Sequence, residues 1–317
     1  MSFPPIVSPS GPGDLSDFAE SIRAAVEERL TRHGAVLFRG YPVRGPRDFE
    51  RIVSFVTPDL LEYTFGSTPR SRLSGRIYTS TEYPAHQQIP LHNEQSYTTE
   101  WPLKIWFYCA KPALEGGETP LADSREVLRR IPARIRERFA AKKVMYTRNY
   151  GNGLDVPWEK VFGTEDRAEV ERFCKDAEIV CEWKEDGELR TRQVCQAIAT
   201  HPRTKEAVWF NQAHLFHVSN LEPAARDGLL AIFAEDELPR NAFYGDGTPI
   251  EDGILDEIRE VYRQVAVSFP WREGDVVLAD NMLVAHGRTS FKGPRQVLVA
   301  MAESYRPEGG AGGGPRS

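Results

Sequence analysis

Cysteine is scarce in this sequence, with four in 317 residues, and Cys109, Cys174, Cys181 and Cys195 contain no C-x-x-C pair. That spacing excludes a thiolate zinc cluster or a disulfide framework as the organising principle. Cys174 and Cys181 fall between an expected helix and an expected strand and read as buried or incidental thiols. No apolar run approaches the roughly 18–20 residues that span a bilayer, and nothing at the start reads as a basic and then apolar leader. A cytoplasmic protein with reduced thiols and no membrane partner is expected. Basic clusters are missing as well. Lys and Arg number 40 against 46 Asp and Glu, giving a net charge of −6 and a pI near 5.8, the wrong balance for a nucleic-acid partner. The sequence has no internal repeat, and its oligomeric state is not legible.

What is present supports a full core: 40% of residues are hydrophobic and 27% charged. A single domain is expected over residues 1–305, followed by a glycine-rich, disordered tail over 306–317. Apolar spacing predicts helices over Ser16 to Arg32, Pro46 to Val56, Glu165 to Ala177, Leu221 to Phe233 and Asp252 to Tyr262. Strands are predicted at Ala35 to Phe38, Arg76 to Tyr78, Leu103 to Ala110, Val144 to Asn149, Ala207 to Phe210, Ala266 to Phe269, Val276 to Leu278 and Gln296 to Tyr305. A hairpin over Ile179 to His201 turns at Glu185-Asp186-Gly187. Strands parted by glycine turns, with a helical insert around 124–240, indicate a mainly β fold with decorating helices (α+β) in the form of a jelly roll.

The chemistry starts at Pro90-Leu91-His92-Asn93-Glu94. On an extended strand, residues i and i+2 leave the same face, so His92 and Glu94 can converge on one point. A divalent ion there needs a further ligand, and His286 supplies it at the end of the apolar run Leu278 to His286. Two imidazoles and one carboxylate with positions left open form the facial triad of non-haem iron sites. Each residue has a plainer reading: a strand pair for His92 and Glu94, a strand-end histidine for His286, a turn residue for Thr119, solvated charges for Arg288 and Arg295. Only the motifs taken together outweigh those readings.

In order along the chain, Leu91-His92-Asn93-Glu94, Glu115-Gly116-Gly117-Glu118-Thr119-Pro120-Leu121-Ala122-Asp123 and Asn281-Met282-Leu283-Val284-Ala285-His286-Gly287-Arg288-Thr289-Ser290-Phe291 resemble the taurine dioxygenase and clavaminate synthase superfamily. The resemblance runs from about Ala35 to Tyr305. The stretches Leu189 to Gln193 and Val208 to His217 look most like the syringomycin-type hydroxylases of peptide natural-product pathways. What the resemblance implies is a double-stranded β-helix with a cupin-like core that binds Fe(II) and takes 2-oxoglutarate and O2 as cosubstrates. By position, His92, Glu94 and His286 match the metal ligands, and Thr119 and Arg295 match the residues that hold 2-oxoglutarate. Arg288 is the alternative to Arg295, because the spacing from His286 is short. Gln88, Asn211 and His214 are candidates for contact with substrate.

Glu94 stands where the related halogenases carry a small residue, so hydroxylation is preferred over halogenation. The expected function is hydroxylation of an aliphatic C–H bond of an amino acid, free or tethered to a carrier protein, in natural-product biosynthesis. Desaturation, cyclisation or epimerisation are alternative outcomes on the same scaffold. Rivals from other classes are a zinc-dependent hydrolase using the same three side chains and a jelly-roll binding protein that has lost its metal.

Overall fold

The structure, a computed structural model, describes residues 3–62, 72–74, 76–79, 83–151, 153–185 and 187–307. The expected glycine-rich tail lies almost wholly outside them, as does Asp186 of the predicted hairpin turn.

Alternation along the long strand Trp101–Lys111 organises the molecule. Trp106 and Tyr108 point to one face, where the helices Ala19–His33 and Pro46–Val56 cover them with Ile22, Leu30, Phe49 and Ile52. Ile105, Phe107 and Cys109 point to the other, against Leu121, Leu283 and Val284. A period of two thus places one sheet between a helical layer and a second sheet. The large sheet runs in the order Ile6–Val7, Ala35–Phe38, Val276–Asp280, Trp101–Lys111, Gln296–Tyr305, Ile77–Thr79, Arg72–Ser74. The small sheet facing it is Ile89–His92, Val284–Arg288, Leu121–Asp123. Together they form the expected double-stranded β-helix, and its cavity opens between them.

Leu278 to His286 is two strands rather than one. Val276–Asp280 belongs to the large sheet and Val284–Arg288 to the small one, and Asn281 to Leu283 carry the chain across. Ala266 to Phe269, predicted as a strand, makes only a single bridge from Val267 to Leu121. The insert around 124–240 combines helices with strands. It holds a four-stranded antiparallel sheet in the order Val180–Trp183, Leu189–Cys195, Val144–Tyr150, Arg240–Tyr244. The helices Ser124–Arg130, Ala133–Lys142 and Asp252–Val265 pack beside its inner face through Val127, Phe139 and Ile258. Arg240–Tyr244 escapes local reading because its partner, Val144–Tyr150, lies far back in the chain and its flanks are polar.

Candidate metal centre

Ile89–His92 runs antiparallel to Val284–Arg288, and the pairing sets His92 directly opposite His286. Their rings lie 4.6 Å apart, and Phe107 packs against His286 at 4.9 Å. The strands approach this closely beside Gly287, where a Cβ would sit 2.7 Å from the Ile89 carbonyl oxygen. A hydrogen bond fixes one tautomer: His92 Nδ1–H donates to the Pro90 carbonyl at 2.8 Å, and a carbonyl can only accept, so Nε2 carries the lone pair.

Glu94 does not lie on the strand, which ends at His92. It reaches the same point from the turn that follows, and Asn281 holds that turn. Asn281 Oδ1 accepts from the Glu94 backbone N–H at 2.7 Å, while its Nδ2 donates to the carbonyls of Glu94 and Pro102, each at 2.9 Å. Asn93 Nδ2 returns a bond to the Asn281 carbonyl at 2.7 Å, and Gln212 Nε2 donates to the Asn93 carbonyl at 2.7 Å. The buried amides Asn93, Gln212 and Asn281 are the contributors that motif reading missed. The signal for Asn281 was present, since it heads the crossing that leads to His286.

One ligand atom from each of His92, Glu94 and His286 lies within 4.8 Å of the others, and among the described residues no other group of His, Cys, Asp or Glu side chains reaches metal-binding spacing. Two nitrogens and a carboxylate oxygen at that separation suit a divalent ion of intermediate softness. The donor set therefore fits iron(II).

Beside the ligands the cavity is walled by Ile89, Phe107, Val297 and Val299, with Thr119, Arg288 and Arg295 as its polar groups. Arg295 donates through Nε to the Gly117 carbonyl at 2.8 Å. A Cβ on Gly117 would come within 2.9 Å of Arg295 Cδ, and its φ of +75° favours glycine independently. Burial, with Arg288 nearby, pulls the Arg295 guanidinium down to about 10, the mark of a cation without a matching buried anion. Thr119 Oγ1 accepts from Trp271 Nε1 at 3.1 Å.

Arg288 borders the same cavity, but its guanidinium is engaged elsewhere. NH1 donates to the Tyr83 carbonyl at 3.0 Å, and NH2 to those of Pro84 and Gln87 at 2.7 and 2.8 Å. The three candidates for substrate contact are placed differently from the metal ligands. Gln88 is exposed. Asn211 is fully buried, donating to the Ala197 carbonyl at 2.8 Å and accepting from Ala213 N–H at 3.1 Å. His214 is buried against the Tyr262 ring, and its Nε2–H donates to the Leu91 carbonyl at 2.9 Å, next to His92. Burial lowers its pKa to about 3, so it is a neutral prop for the ligand strand. A larger cleft of about 440 Å³ opens beside Gln95, Thr99, Phe173 and Arg306, away from the ligand histidines.

Comparison with known proteins agrees with this geometry. The sequence model of the taurine catabolism dioxygenase TauD, TfdA family matches residues 3–301. The dapdiamide synthesis protein DdaC of Enterobacter agglomerans is 43% identical over 282 residues, which are 89% of this chain and 86% of that protein. A clavaminate synthase-like protein of Arabidopsis thaliana is 32% identical over 321 residues, covering 95% and 94%. Among solved structures, PvcB, an Fe, alpha-ketoglutarate-dependent oxygenase from an isonitrile synthetic pathway, superposes with a TM-score of 0.54 at 16% identity, covering 95% of this chain and 87% of that one. An asparagine oxygenase solved with Fe(II), 3-hydroxyasparagine and succinate gives 0.50 at 12% identity, covering 90% and 79%. At such identities these two likenesses speak for the fold alone.

Proposed function

Because this chain belongs to the taurine catabolism dioxygenase TauD, TfdA family, and is thereby a dioxygenase that works with iron(II), 2-oxoglutarate and O2, we propose that it hydroxylates an aliphatic C–H bond of an amino acid in natural-product biosynthesis, free or tethered to a carrier protein. The observation that carries this reading is the meeting of His92, Glu94 and His286 within 4.8 Å beside the Arg295 guanidinium. The part of the relative DdaC in dapdiamide synthesis favours an amino-acid-like substrate.

Bound iron would supply the oxidising chemistry, coupling decarboxylation of 2-oxoglutarate to succinate and CO2 with transfer of oxygen to the substrate. His92, Glu94 and His286 would hold it and leave coordination positions for a chelating keto acid. The Pro90 carbonyl keeps the His92 proton on Nδ1, so Nε2 is the donor. Arg295 spends one N–H on Gly117, and its remaining planar donors suit the distal carboxylate of 2-oxoglutarate, with the Thr119 hydroxyl alongside. Arg288 suits this task less, because three backbone carbonyls already claim its guanidinium. Phe107, Val297 and Val299 wall the cavity with apolar surface and would keep bulk water from a bound ion.

Anaerobic addition of iron(II) and 2-oxoglutarate should produce a weak visible charge-transfer band that His92→Ala removes. Absence of the band at saturation would sink the proposal. Product mass then tests the finer step: a gain of one oxygen supports hydroxylation, a loss of two hydrogens desaturation or ring closure.

A further inference from the structure

The inner face of the second sheet carries an arrangement that the metal chemistry does not use. Arg148 and Arg240 stand directly opposite each other in the register of Val144–Tyr150 and Arg240–Tyr244, and Thr191 faces Arg148 from the other side. Like charges paired across a strand repel, and here Arg148 is buried with Arg240 half-buried beside it. One carboxylate answers them. Asp155 takes two short bonds from Arg240, Nε at 2.6 Å and NH2 at 2.5 Å, and a third from Val156 N–H at 2.7 Å.

Arg148 is left over. Its side chain is only 5% exposed, it reaches Asp155 at 3.5 Å without hydrogen-bond geometry, and Nε, NH1 and NH2 all lack a hydrogen-bond partner. Its guanidinium lies over the Tyr150 ring at 4.8 Å, and the hydroxyl of that fully buried tyrosine meets the Thr191 side chain. Buried donors left without a hydrogen bond are costly, and more so when charged. A buried guanidinium whose one carboxylate, Asp155, already makes its short bonds to Arg240 adds little stability, since an apolar residue of the same size would serve better.

The position links this group to the metal centre. Arg148 is two residues beyond Tyr146 on the same strand face, a step of roughly 7 Å. The Tyr146 hydroxyl accepts from Gln212 N–H at 2.7 Å, its ring faces Tyr97 at 6.3 Å, and Gln212 grips Asn93 between the metal ligands His92 and Glu94.

Resting on the function proposed above, we infer that Arg148, with Tyr150 and Thr191, is a subsite for a free carboxylate of the substrate. Two arginines and one aspartate sum to one positive charge, which a single carboxylate balances. Its two oxygens match the planar fork of donors, and the tyrosine hydroxyl adds a further donor. The class of substrate narrows accordingly. An acid joined to a carrier through its only carboxyl group has no charge to offer there, so a tethered substrate must bear a second carboxylate.

The test uses the full chain loaded with iron(II) and saturating 2-oxoglutarate under exclusion of O2, so that Arg295 is already engaged. Melting temperature is followed against propanoate and against propanamide, which differ only in the charge of the headgroup. Propanoate should raise it by roughly 1–2 °C more than propanamide, and Arg148→Met should abolish that difference while keeping the charge-transfer band. Should Arg148→Met fail to fold, Arg148→Lys keeps the charge without the fork and should at least halve the difference. Equal responses to the two probes in the native chain, or a difference that persists undiminished in the variant, overturn the inference. The band is read separately, so failure of the metal reading is seen as its absence in the native chain.

Discussion

The metal cavity and the inner face of the second sheet are linked through Tyr97 and Tyr146, yet they are built by opposite means. At the cavity the reactive side chains are placed by register and by amides that bond backbone. His92 faces His286 across a strand pair, and Asn281 grips both backbone atoms of Glu94. On the second sheet register instead creates a conflict, two arginines side by side, and a loop aspartate pairs with both but hydrogen-bonds only one of them. The first arrangement is what a fixed catalytic step needs. The second leaves a charge for something outside the chain to meet, as expected where substrates vary while the chemistry stays the same.

The comparison breaks most sharply if the ligands can be removed without consequence. His286→Ala should abolish both the charge-transfer band and succinate formation, since two donors alone do not hold the ion. Next in size is the contrast between the two cavity arginines. Arg295→Gln should raise the KM for 2-oxoglutarate by roughly 30- to 1,000-fold, the loss of about 2–4 kcal/mol that a desolvated charged pair represents. Arg288→Gln should leave that KM unchanged and lower the melting temperature, because its donors hold the carbonyls of Tyr83, Pro84 and Gln87. A KM effect at Arg288 and none at Arg295 would reverse the assignment.

Asn281→Ala sharpens the comparison from the structural side. Three buried hydrogen bonds disappear, so chemical denaturation should report a loss of about 2–4 kcal/mol. Iron affinity, read from the band, should fall by about 10- to 100-fold as Glu94 loses its hold. The smallest effect is in pH. Burial lowers His214 to about 3 and His217 to about 4. The unfolded chain therefore takes up protons near 6.5 that the folded one refuses. Stability is complete above that value and falls as the pH drops towards 4, by up to about 1.4 kcal/mol per unit for each histidine. Denaturation curves between pH 7 and 4 for the native chain and for His214→Gln should show a shallower decline in the variant.

Much of the cavity was legible because its parts are local. The spacing of His92 and Glu94, the glycines before Thr119 and the strand around His286 each carry their meaning within a few residues. The strand assigned to Glu94 was wrong in detail because the hold on that turn comes from Asn281, at the other end of the chain. Asn211 and His214 are candidates for substrate contact through the resemblance alone, and the fold engages Asn211 Nδ2 and His214 Nε2 with backbone carbonyls. Arg148 was silent for the same reason. On its own strand it is one charge among hydrophobic and polar residues, and only pairing with Arg240–Tyr244 makes it half of a repelling pair.

The crossing at Asn281 has a thermodynamic side. It joins Asn93 to a residue 188 positions away, and an ion held by His92, Glu94 and His286 would fasten the same two stretches of chain a second time. Such a fastener binds the native fold and has little hold on the unfolded chain, so part of its affinity is spent on cohesion. Growth conditions poor in iron would then lower the amount of intact protein in the cell along with its activity, and the yield of folded chain would follow the metal supply.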